Sequence, residues 1–309
     1  MPRKIARSHP LVINKNLGSA EQTHADQLTK TNADGLPVVP PTDKQKYNFD
    51  RNGWLLIPGL LSEADVAEMR AYCEQLTHDP ESLPELERNA MSGPLQKLID
   101  HPVVVGFMNE FLAYPPCSSE SSYGFRMETS MLMHRSAAQN VQRPFSPHNG
   151  NGMFRPPWDS HYYRCVPGKA WSGLTRVIWE LNPVQHRQGG TLFITGSHKS
   201  AYPVPDSTRL DEQSPVWDTY GCPAGSLIFF TESISHSSST WTDKSHDRFA
   251  IFNLYNALAH RWYDWLPEPE QLEKMPPKRQ SLFRDVWVNN NVADGDFGQH
   301  TSPYMEVEG

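Results

Sequence analysis

Two histidines and an arginine form the pattern in this sequence that is best suited to chemistry. His148 lies in the loop Pro-Phe-Ser-Pro-His-Asn-Gly, His236 ends the segment GSLIFFTESISH, and Arg248 opens a further apolar segment twelve residues later. An imidazole binds metals, and a guanidinium binds a carboxylate through two parallel hydrogen bonds. If the last two segments are adjacent antiparallel strands, His236 and Arg248 point into one cavity. The residues alone equally allow exposed histidines and a surface arginine paired with Asp243 or Asp247.

Templates for other chemistries find little support in the chain. The glycine cluster from Gly150 to Gly152 lacks the third glycine and the preceding strand of a dinucleotide-binding loop. There is no G-x-S-x-G elbow, no Walker lysine and no recognisable cysteine nucleophile motif. The cysteines are too scattered for a disulfide scaffold and favour a reducing, cytoplasmic location: Cys73, Cys117, Cys165 and Cys222.

Composition predicts a folded protein that binds neither a nucleic-acid polymer nor a membrane. The chain has 309 residues, of which 38% are hydrophobic and 20% charged, so it can bury a substantial core. Its formal net charge of −7 is unfavourable for binding the negatively charged phosphate backbone of a nucleic acid. No stretch of about 18 apolar residues occurs, and the N-terminus lacks the apolar region of an export signal.

The order of the predicted elements indicates a mainly β protein with helical support (α+β). Residues 1–45 are polar and predict an extended or partly ordered arm, and residues 46–309 predict a single catalytic domain. A short strand over Trp54–Ile57 leads to a helix that Ser62 and Asp65 begin with a capping-box-like pattern. From Phe125 onward come short strands typical of a sandwich or jelly roll: FRMETSMLM, LTRVIWEL, TLFI, GSLIFF and RFAIFNLYN.

Three segments, in order, resemble one known family. They are FDRNGWLLIPGLLSEADV, then SGLTRVIWELNPVQHRQGGTLFITGSHKS, then AGSLIFFTESISHSSSTW with Arg248 following. The match extends from Phe49 to about Tyr255, and the sequence resembles the phytanoyl-CoA dioxygenase-like branch of the iron(II)/2-oxoglutarate oxygenases. This resemblance implies a double-stranded β-helix, a cupin-like jelly roll, with a metal near one mouth.

The resemblance also implies roles for individual residues. His148 matches the proximal metal ligand, and His236 matches the distal one. Arg248 matches the residue that binds the far carboxylate of 2-oxoglutarate. Trp179 matches an aromatic residue of that pocket, although a core position on a half-buried strand is equally compatible with it.

The sequence departs from the family at the carboxylate ligand. The usual motif is His-x-Asp or His-x-Glu, whereas the residue two positions after His148 is Gly150. In halogenases that resemble this family, a small residue stands there and a halide binds iron in the space. The resemblance therefore predicts a halogenase that chlorinates an unactivated C–H bond of its substrate. It implies Fe(II), 2-oxoglutarate, O2 and chloride as cofactors, with Gly150 at the halide site.

Several alternatives stay open at this point. The metal could bind a carboxylate from elsewhere in the chain, namely that of Asp159, Glu180 or Glu232. Asp159 is favoured because its segment, WDSHYY, resembles a metal-ligand loop. If His161 were the proximal ligand, the residue two positions later would be a tyrosine, again without a carboxylate. A hydroxylase with water as the third ligand, or a non-catalytic binding protein, also fits the pattern.

The expected substrate is a freestanding small molecule, with a purine (deoxy)nucleotide as the specific prediction. Basic residues near the expected mouth could bind a phosphate or carboxylate: Arg126, Arg135, Arg155, Arg164, Lys169, Arg176 and Lys199. Aromatic residues after the first histidine could stack on a base: Phe154, Trp158, Tyr162, Tyr163 and Trp171. An amino acid or alkaloid is the next candidate, and the sequence leaves the oligomeric state open.

Overall fold

The computed structural model describes residues 28–156, 158–284 and 286. The α-helices are α1 (Asp43–Asn52), α2 (Glu63–His78), α3 (Pro102–Phe111), α4 (Asp206–Arg209), α5 (Pro269–Glu273) and α6 (Pro277–Gln280). The strands are β1 (Trp54–Ile57), β2 (Phe125–Arg135), β3 (Tyr163–Val166), β4 (Lys169–Ser172), β5 (Thr175–Glu180), β6 (Leu192–Phe193), β7 (Ser226–Thr231), β8 (His236–Ser237) and β9 (Arg248–Ala257). The predicted strands are thus confirmed, with small shifts at their ends.

Two of the long helices begin at side-chain caps. Thr42 and Gln45 form a complete capping box at the start of α1, each side chain binding the backbone amide of the other. At the start of α2, the Ser62 hydroxyl accepts a hydrogen bond from the Asp65 amide, as the sequence predicted. These caps satisfy amides that have no partner within a helix, and they fix where each helix starts.

The main sheet, within residues 54–257, has the antiparallel strand order β1-β7-β5-β9-β2. A smaller layer consists of β6 paired with β8, and an isolated bridge joins His148 to His236 at the edge of β8. The neighbours β7, β5 and β9 are distant in sequence, as expected when strands cross between two sheets. This arrangement is a jelly-roll core, and it confirms the predicted fold class.

Side chains on the strands of the main sheet point alternately to its two faces, and a separate hydrophobic core packs against each face. On β5, Val177 and Trp179 face the helices, whereas Ile178 faces the smaller β layer. Because successive residues of a strand point to opposite faces, Arg176 and Glu180 share the face of Ile178. Buried charged groups therefore lie on the inner face of the sheet, between the two β layers.

A β-bulge in β2 changes which face its side chains occupy. Met127 pairs with Tyr255, but Thr129 pairs with Leu254, so Glu128 is an extra residue in the strand. Before the bulge, Phe125 and Met127 pack in the helix-side core. After it, the odd-numbered residues of β2 turn to the inner face, where Met133 packs.

The predicted boundary at residue 45 falls inside α1 and needs correction. Residues 28–42 are packed on the domain: the Val39 amide donates to the Pro102 carbonyl (3.2 Å), and Asp34 pairs with Arg279 (2.7 Å). A Cβ at Gly106 would lie 2.0 Å from the Val39 carbonyl oxygen, so only glycine permits this approach. The rest of the predicted arm, residues 1–27, lies outside the described residues.

No helix within the described part of the chain is both long enough and apolar enough to cross a membrane.

His198 generates a prediction about stability and pH. Burial lowers the pKa of His198 from 6.5 to about 4, although the Asp50 carbonyl, to which Nε2 donates (3.0 Å), opposes this shift. Between these pH values the unfolded chain takes up a proton and the folded chain does not. The free energy of unfolding should therefore fall as pH decreases from 6.5 to 4, by up to about 1.4 kcal/mol per pH unit from this residue.

Urea denaturation at several pH values would measure this slope. A His198→Asn variant should be less stable at neutral pH but should lose stability less steeply on acidification. His186→Asn, at an exposed position, serves as the control and should keep the slope of the parent protein. Equal slopes in all three proteins would contradict the prediction.

Candidate active site

His148 and His236 are held side by side by the backbone. The amide of each residue donates to the carbonyl of the other, at 3.1 Å in both directions, and the ring centroids are 4.1 Å apart. Each Nδ1 lies against a carbonyl oxygen two residues earlier, that of Ser146 (2.8 Å) or Ile234 (2.9 Å). Since a carbonyl only accepts, both Nδ1 atoms carry hydrogen, and both Nε2 lone pairs are available to a metal.

A carboxylate completes this pair, and it comes from Glu232. Its Oε2 lies 3.4 Å from the Nε2 of His236, and the donor atoms of His148, Glu232 and His236 all lie within 4.8 Å of one another. The other oxygen, Oε1, accepts a short hydrogen bond from Nε of Arg176. Asn149 donates to Oε2 at 3.3 Å. The three side chains thus form a compact cluster of two nitrogen donors and one oxygen donor.

The protonation of this cluster suits a divalent cation. Burial by itself would raise the pKa of Glu232, but the charges of Arg176 and His236 outweigh it and lower the pKa to about 2. Burial lowers the pKa of His236 to about 4, against the opposing effect of Glu232. At neutral pH the carboxyl is therefore ionised and the His236 imidazole is neutral, which are the forms that bind metals.

The donor set also fits an iron ion in its spacing. Donors at neighbouring positions of an octahedron, with bonds of about 2.1 Å, lie about 3 Å apart. The separation of 3.4 Å between Nε2 of His236 and Oε2 of Glu232 is close to this value, and no separation among the three donor atoms exceeds 4.8 Å. Two imidazoles and one carboxylate match the ligand types of non-haem iron(II) oxygenases.

Gly150, the predicted halide position, adopts a conformation that disfavours side chains. Its φ is +117°, and a Cβ built on it would lie 2.6 Å from Oγ of Ser235. That hydroxyl is held in place, since it donates to the Asn149 carbonyl at 2.9 Å. A carboxylate at position 150 would therefore need a different loop backbone.

The other two carboxylates considered from the sequence are engaged elsewhere. Asp159, the one favoured from the sequence, pairs with Arg155 (3.1 Å) and accepts from the backbone and ring of His161. Glu180 pairs with Arg248. His161, the alternative proximal ligand, lies in ring contact with Trp262. Of the carboxylates considered from the sequence, only Glu232 joins the histidine pair.

Arg248 lies on the wall of the same cavity as the histidines, but it is already paired within the protein. Its Nε and Nη2 atoms both contact the carboxylate of Glu180, and the Tyr220 hydroxyl and Gly189 carbonyl lie at 3.2 Å from the guanidinium. Although burial alone would lower it, the charge of Glu180 raises the pKa of Arg248. Glu180 and Tyr220 thus position this arginine rather than leaving it mobile.

Arg135 is a second buried cation beside Arg248, and it lacks an acidic partner among the described residues. The two residues are directly opposite each other in the β2–β9 register. The side chain of Arg135 donates to the His134 carbonyl at 2.6 Å. Burial, and then repulsion from Arg248 and Arg143, lower its pKa to about 10. A buried, like-charged neighbourhood of this kind favours an anionic ligand.

These groups line a single cavity of about 250 Å³ between the two β layers. Its charged wall consists of the two histidines and four arginines, and its apolar wall includes Met131, Met133, Phe230, Phe252 and the ring of Tyr263. The arginines are Arg135, Arg143, Arg176 and Arg248. A larger groove of about 570 Å³, between α1 and the β3–β4 hairpin, contains none of these residues.

The structure places several predicted site residues elsewhere. Trp179 is fully buried in the helix-side core, with its ring against His101, on the opposite face of β5 from Arg176 and Glu180. Tyr163 is also buried and donates to Asp50. Trp158 and Phe154 are exposed. Trp179 therefore packs in the core instead of lining the cavity.

A family model described as "Phytanoyl-CoA dioxygenase (PhyH)" matches residues 49–249 of the chain. The chain belongs to the phytanoyl-CoA dioxygenase family. It is accordingly an enzyme of the iron(II)/2-oxoglutarate-dependent oxygenase type. A curated relative, the L-proline trans-4-hydroxylase of Streptomyces griseoviridis, is 25% identical over 252 residues, which is 73% of this chain and 90% of the relative.

Solved structures confirm the fold of this family member. HygX from Streptomyces hygroscopicus, with nickel, 2-oxoglutarate and hygromycin B bound, superposes with a TM-score of 0.54 at 19% identity, covering 70% of this chain and 87% of HygX. The carbocyclase SnoK from nogalamycin biosynthesis gives a TM-score of 0.50 at 17% identity, covering 80% of this chain and 94% of SnoK.

Some parts of the site could not be found from the sequence pattern. The sequence offers Glu232 as one of three carboxylates and favours Asp159, although the position of Glu232 four residues before His236 is a usable signal. Arg135 does not stand out from the other basic residues, because nothing in the sequence shows that it lacks an acidic partner. Tyr220 belongs to no sequence motif, so its contact with Arg248 could not be predicted.

The Arg248–Glu180 pair generates a stability prediction. Arg248→Met leaves Glu180 as a buried charge without its partner, so it should lower the free energy of unfolding by about 3 to 5 kcal/mol. The double variant Arg248→Met/Glu180→Gln removes both charges and should recover part of this loss. Urea denaturation of the parent, both single variants and the double variant gives the coupling energy, and additive losses would contradict the pairing.

Proposed function

We propose that this enzyme hydroxylates a C–H bond of a freestanding, small anionic molecule, using Fe(II), 2-oxoglutarate and O2. The observation that carries the proposal is the histidine pair, whose Nε2 lone pairs are available beside a carboxylate in an arginine-lined cavity. The curated relative named as a proline hydroxylase supports the same reaction class.

The protein residues have separate tasks in this proposal. His148 and His236 hold the iron, which together with the co-substrate supplies the oxidising chemistry. Arg248 and Arg135 bind the far carboxylate of 2-oxoglutarate, Arg248 being oriented by Glu180 and Tyr220. Phe230 and Phe252 exclude water from this end of the cavity. The protein thus provides ligands, a dry wall and the orientation of the reactants.

The charges of the cavity favour an anionic substrate. Arg143 lies at the wall in an exposed position, and it has no acidic partner among the described residues. Once 2-oxoglutarate occupies the inner arginines, Arg143 can bind a carboxylate or phosphate of the substrate at the mouth. A purine (deoxy)nucleotide stays a prediction within this class, with the exposed Phe154 and Trp158 as the aromatic residues available to stack on a base.

Chlorination is the second candidate, and Gly150 is the observation that favours it. The residue provides no carboxylate at the position where the family usually has one. A chloride beside Gly150 would then replace that charge. This alternative and hydroxylation differ in the group that occupies the third ligand position, so they can be separated by experiment.

The first test needs no substrate. Adding Fe(II) and 2-oxoglutarate to the metal-free protein without oxygen should produce a visible charge-transfer band, which chloride should leave unchanged. Absence of the band, while the protein is folded, would contradict the proposed cofactors. With O2 and candidate anionic substrates, mass spectrometry should detect one added oxygen atom, whereas exchange of hydrogen for chlorine would establish the second candidate.

Arg135 generates a separate prediction for co-substrate binding. Arg135→Met removes a charged hydrogen-bond donor worth about 1.5 to 3 kcal/mol, so the dissociation constant of 2-oxoglutarate should rise about ten- to hundredfold. Titration of the charge-transfer band measures this constant. Arg51→Met, on the exposed surface of α1, is the control and should bind 2-oxoglutarate like the parent. An unchanged constant in Arg135→Met would assign the carboxylate to Arg248 alone.

A further inference from the structure

We propose that Glu232 supplies the third protein ligand of the iron, so that the carboxylate comes from the segment of the distal histidine instead of the loop of the proximal one. The inference rests on the proposed function, because it concerns the same metal. Glu232 would then provide the carboxylate ligand that the family usually has at the position of Gly150.

The backbone around Glu232 places its carboxylate beside His236. Glu232 directly follows β7, and its amide donates to the Leu174 carbonyl at 2.8 Å, which fixes the end of the strand. The turn that follows is closed by the Ile234 amide, which donates to the Thr231 carbonyl at 3.0 Å. The chain then enters β8 at His236. The two side chains, four residues apart, consequently meet at 3.4 Å.

The two oxygens of this carboxylate have different partners. Oε1 is held by Arg176, whereas Oε2 faces His236. Among the described residues, the one hydrogen bond to Oε2 comes from the side-chain amide of Asn149, at 3.3 Å. A carboxylate that binds a metal through one oxygen typically has its other oxygen held by a neighbouring donor. Arg176 acts as a positioning residue in this arrangement, since it orients Glu232 and leaves Oε2 for the ion.

The charge balance argues against a chloride in the same place. Glu232 is 3% exposed, its Oε1 accepts from Nε of Arg176, and its Oε2 lies 3.4 Å from Nε2 of His236. A chloride at the same position would lie against a carboxylate of like charge and would be repelled by it. The negative charge that a halide would provide is therefore already present in the protein, and the same carboxylate favours hydroxylation over chlorination.

Metal titration without turnover tests the assignment. Co(II) is added to the metal-free protein, and the dissociation constant is measured by calorimetry together with the visible spectrum of the bound ion. Glu232→Gln keeps the shape and removes the charge, so the constant should rise at least tenfold. Asp159→Asn is the matched control and should bind Co(II) like the parent, since Asp159 pairs with Arg155 and His161.

A second variant guards against misfolding, because Glu232→Gln leaves Arg176 buried without its acidic partner. Glu232→Asp keeps a negative charge for Arg176 and an oxygen donor on a shorter side chain, so its Co(II) constant should lie between those of Glu232→Gln and the parent. If Glu232→Asp binds Co(II) no better than Glu232→Gln while both variants are folded, the charge of this side chain does not act on the metal, and the ligand assignment is overturned.

His236→Ala separates failure of this inference from failure of the proposed function. If His236→Ala loses Co(II) and Glu232→Gln binds it like the parent, Glu232 is not a ligand but the metal centre stands. If His236→Ala also binds like the parent, the proposed metal centre itself is wrong.

Chloride provides an independent readout. The spectrum of bound Co(II) should be unaffected by chloride in the parent protein, and should become chloride-dependent in Glu232→Ala, where a vacated position can admit the anion. A chloride-dependent spectrum in the parent would overturn the inference and support the halogenase alternative.

Discussion

The site depends on a pair of backbone hydrogen bonds between His148 and His236. These two bonds join a loop that follows β2 to the first residue of β8, and they bring together residues 88 positions apart in the chain. The Nδ1 atom of each imidazole binds a carbonyl of its own segment, so these side-chain hydrogen bonds do not join the two histidines to each other. The geometry of the metal centre is therefore set by main-chain pairing, and the side chains only complete it.

The inner face of the sheet carries several buried charged side chains. Two ion pairs, Arg176 with Glu232 and Arg248 with Glu180, balance most of this charge. Arg135 adds a positive charge that these pairs do not compensate, so the cavity has a net preference for anions. Since an uncompensated buried charge costs free energy, part of the stability of the folded protein is given up to create a binding site for a dianionic co-substrate.

Much of the fold could be predicted from the sequence, because strand alternation and turn residues are local signals. The strand from Phe125, the strand opened by Arg248 and the cap at Ser62 were all recognised from short patterns. The partners of buried charges could not be predicted in the same way. The pairing of strands that are distant in sequence decides whether Glu232 or Asp159 lies beside the histidines. The spacing of residues along the chain does not reveal this pairing. Trp179 illustrates the same limit, since its face of β5 follows from the register of the whole sheet.

The bulge at Glu128 links the length of one strand to the binding properties of the cavity. Without this extra residue, the second half of β2 would be rotated by one position, and Arg135 would point to the helix layer. Glu128 also accepts hydrogen bonds from the amides of Trp262 and Tyr263, so it fastens the segment after β9 against the cavity mouth. Inserting or deleting one residue between Glu128 and Arg135 would turn Arg135 away from the cavity. During divergence of this enzyme we therefore expect insertions and deletions to accumulate in the loops, while the number of residues from Glu128 to Arg135 stays constant.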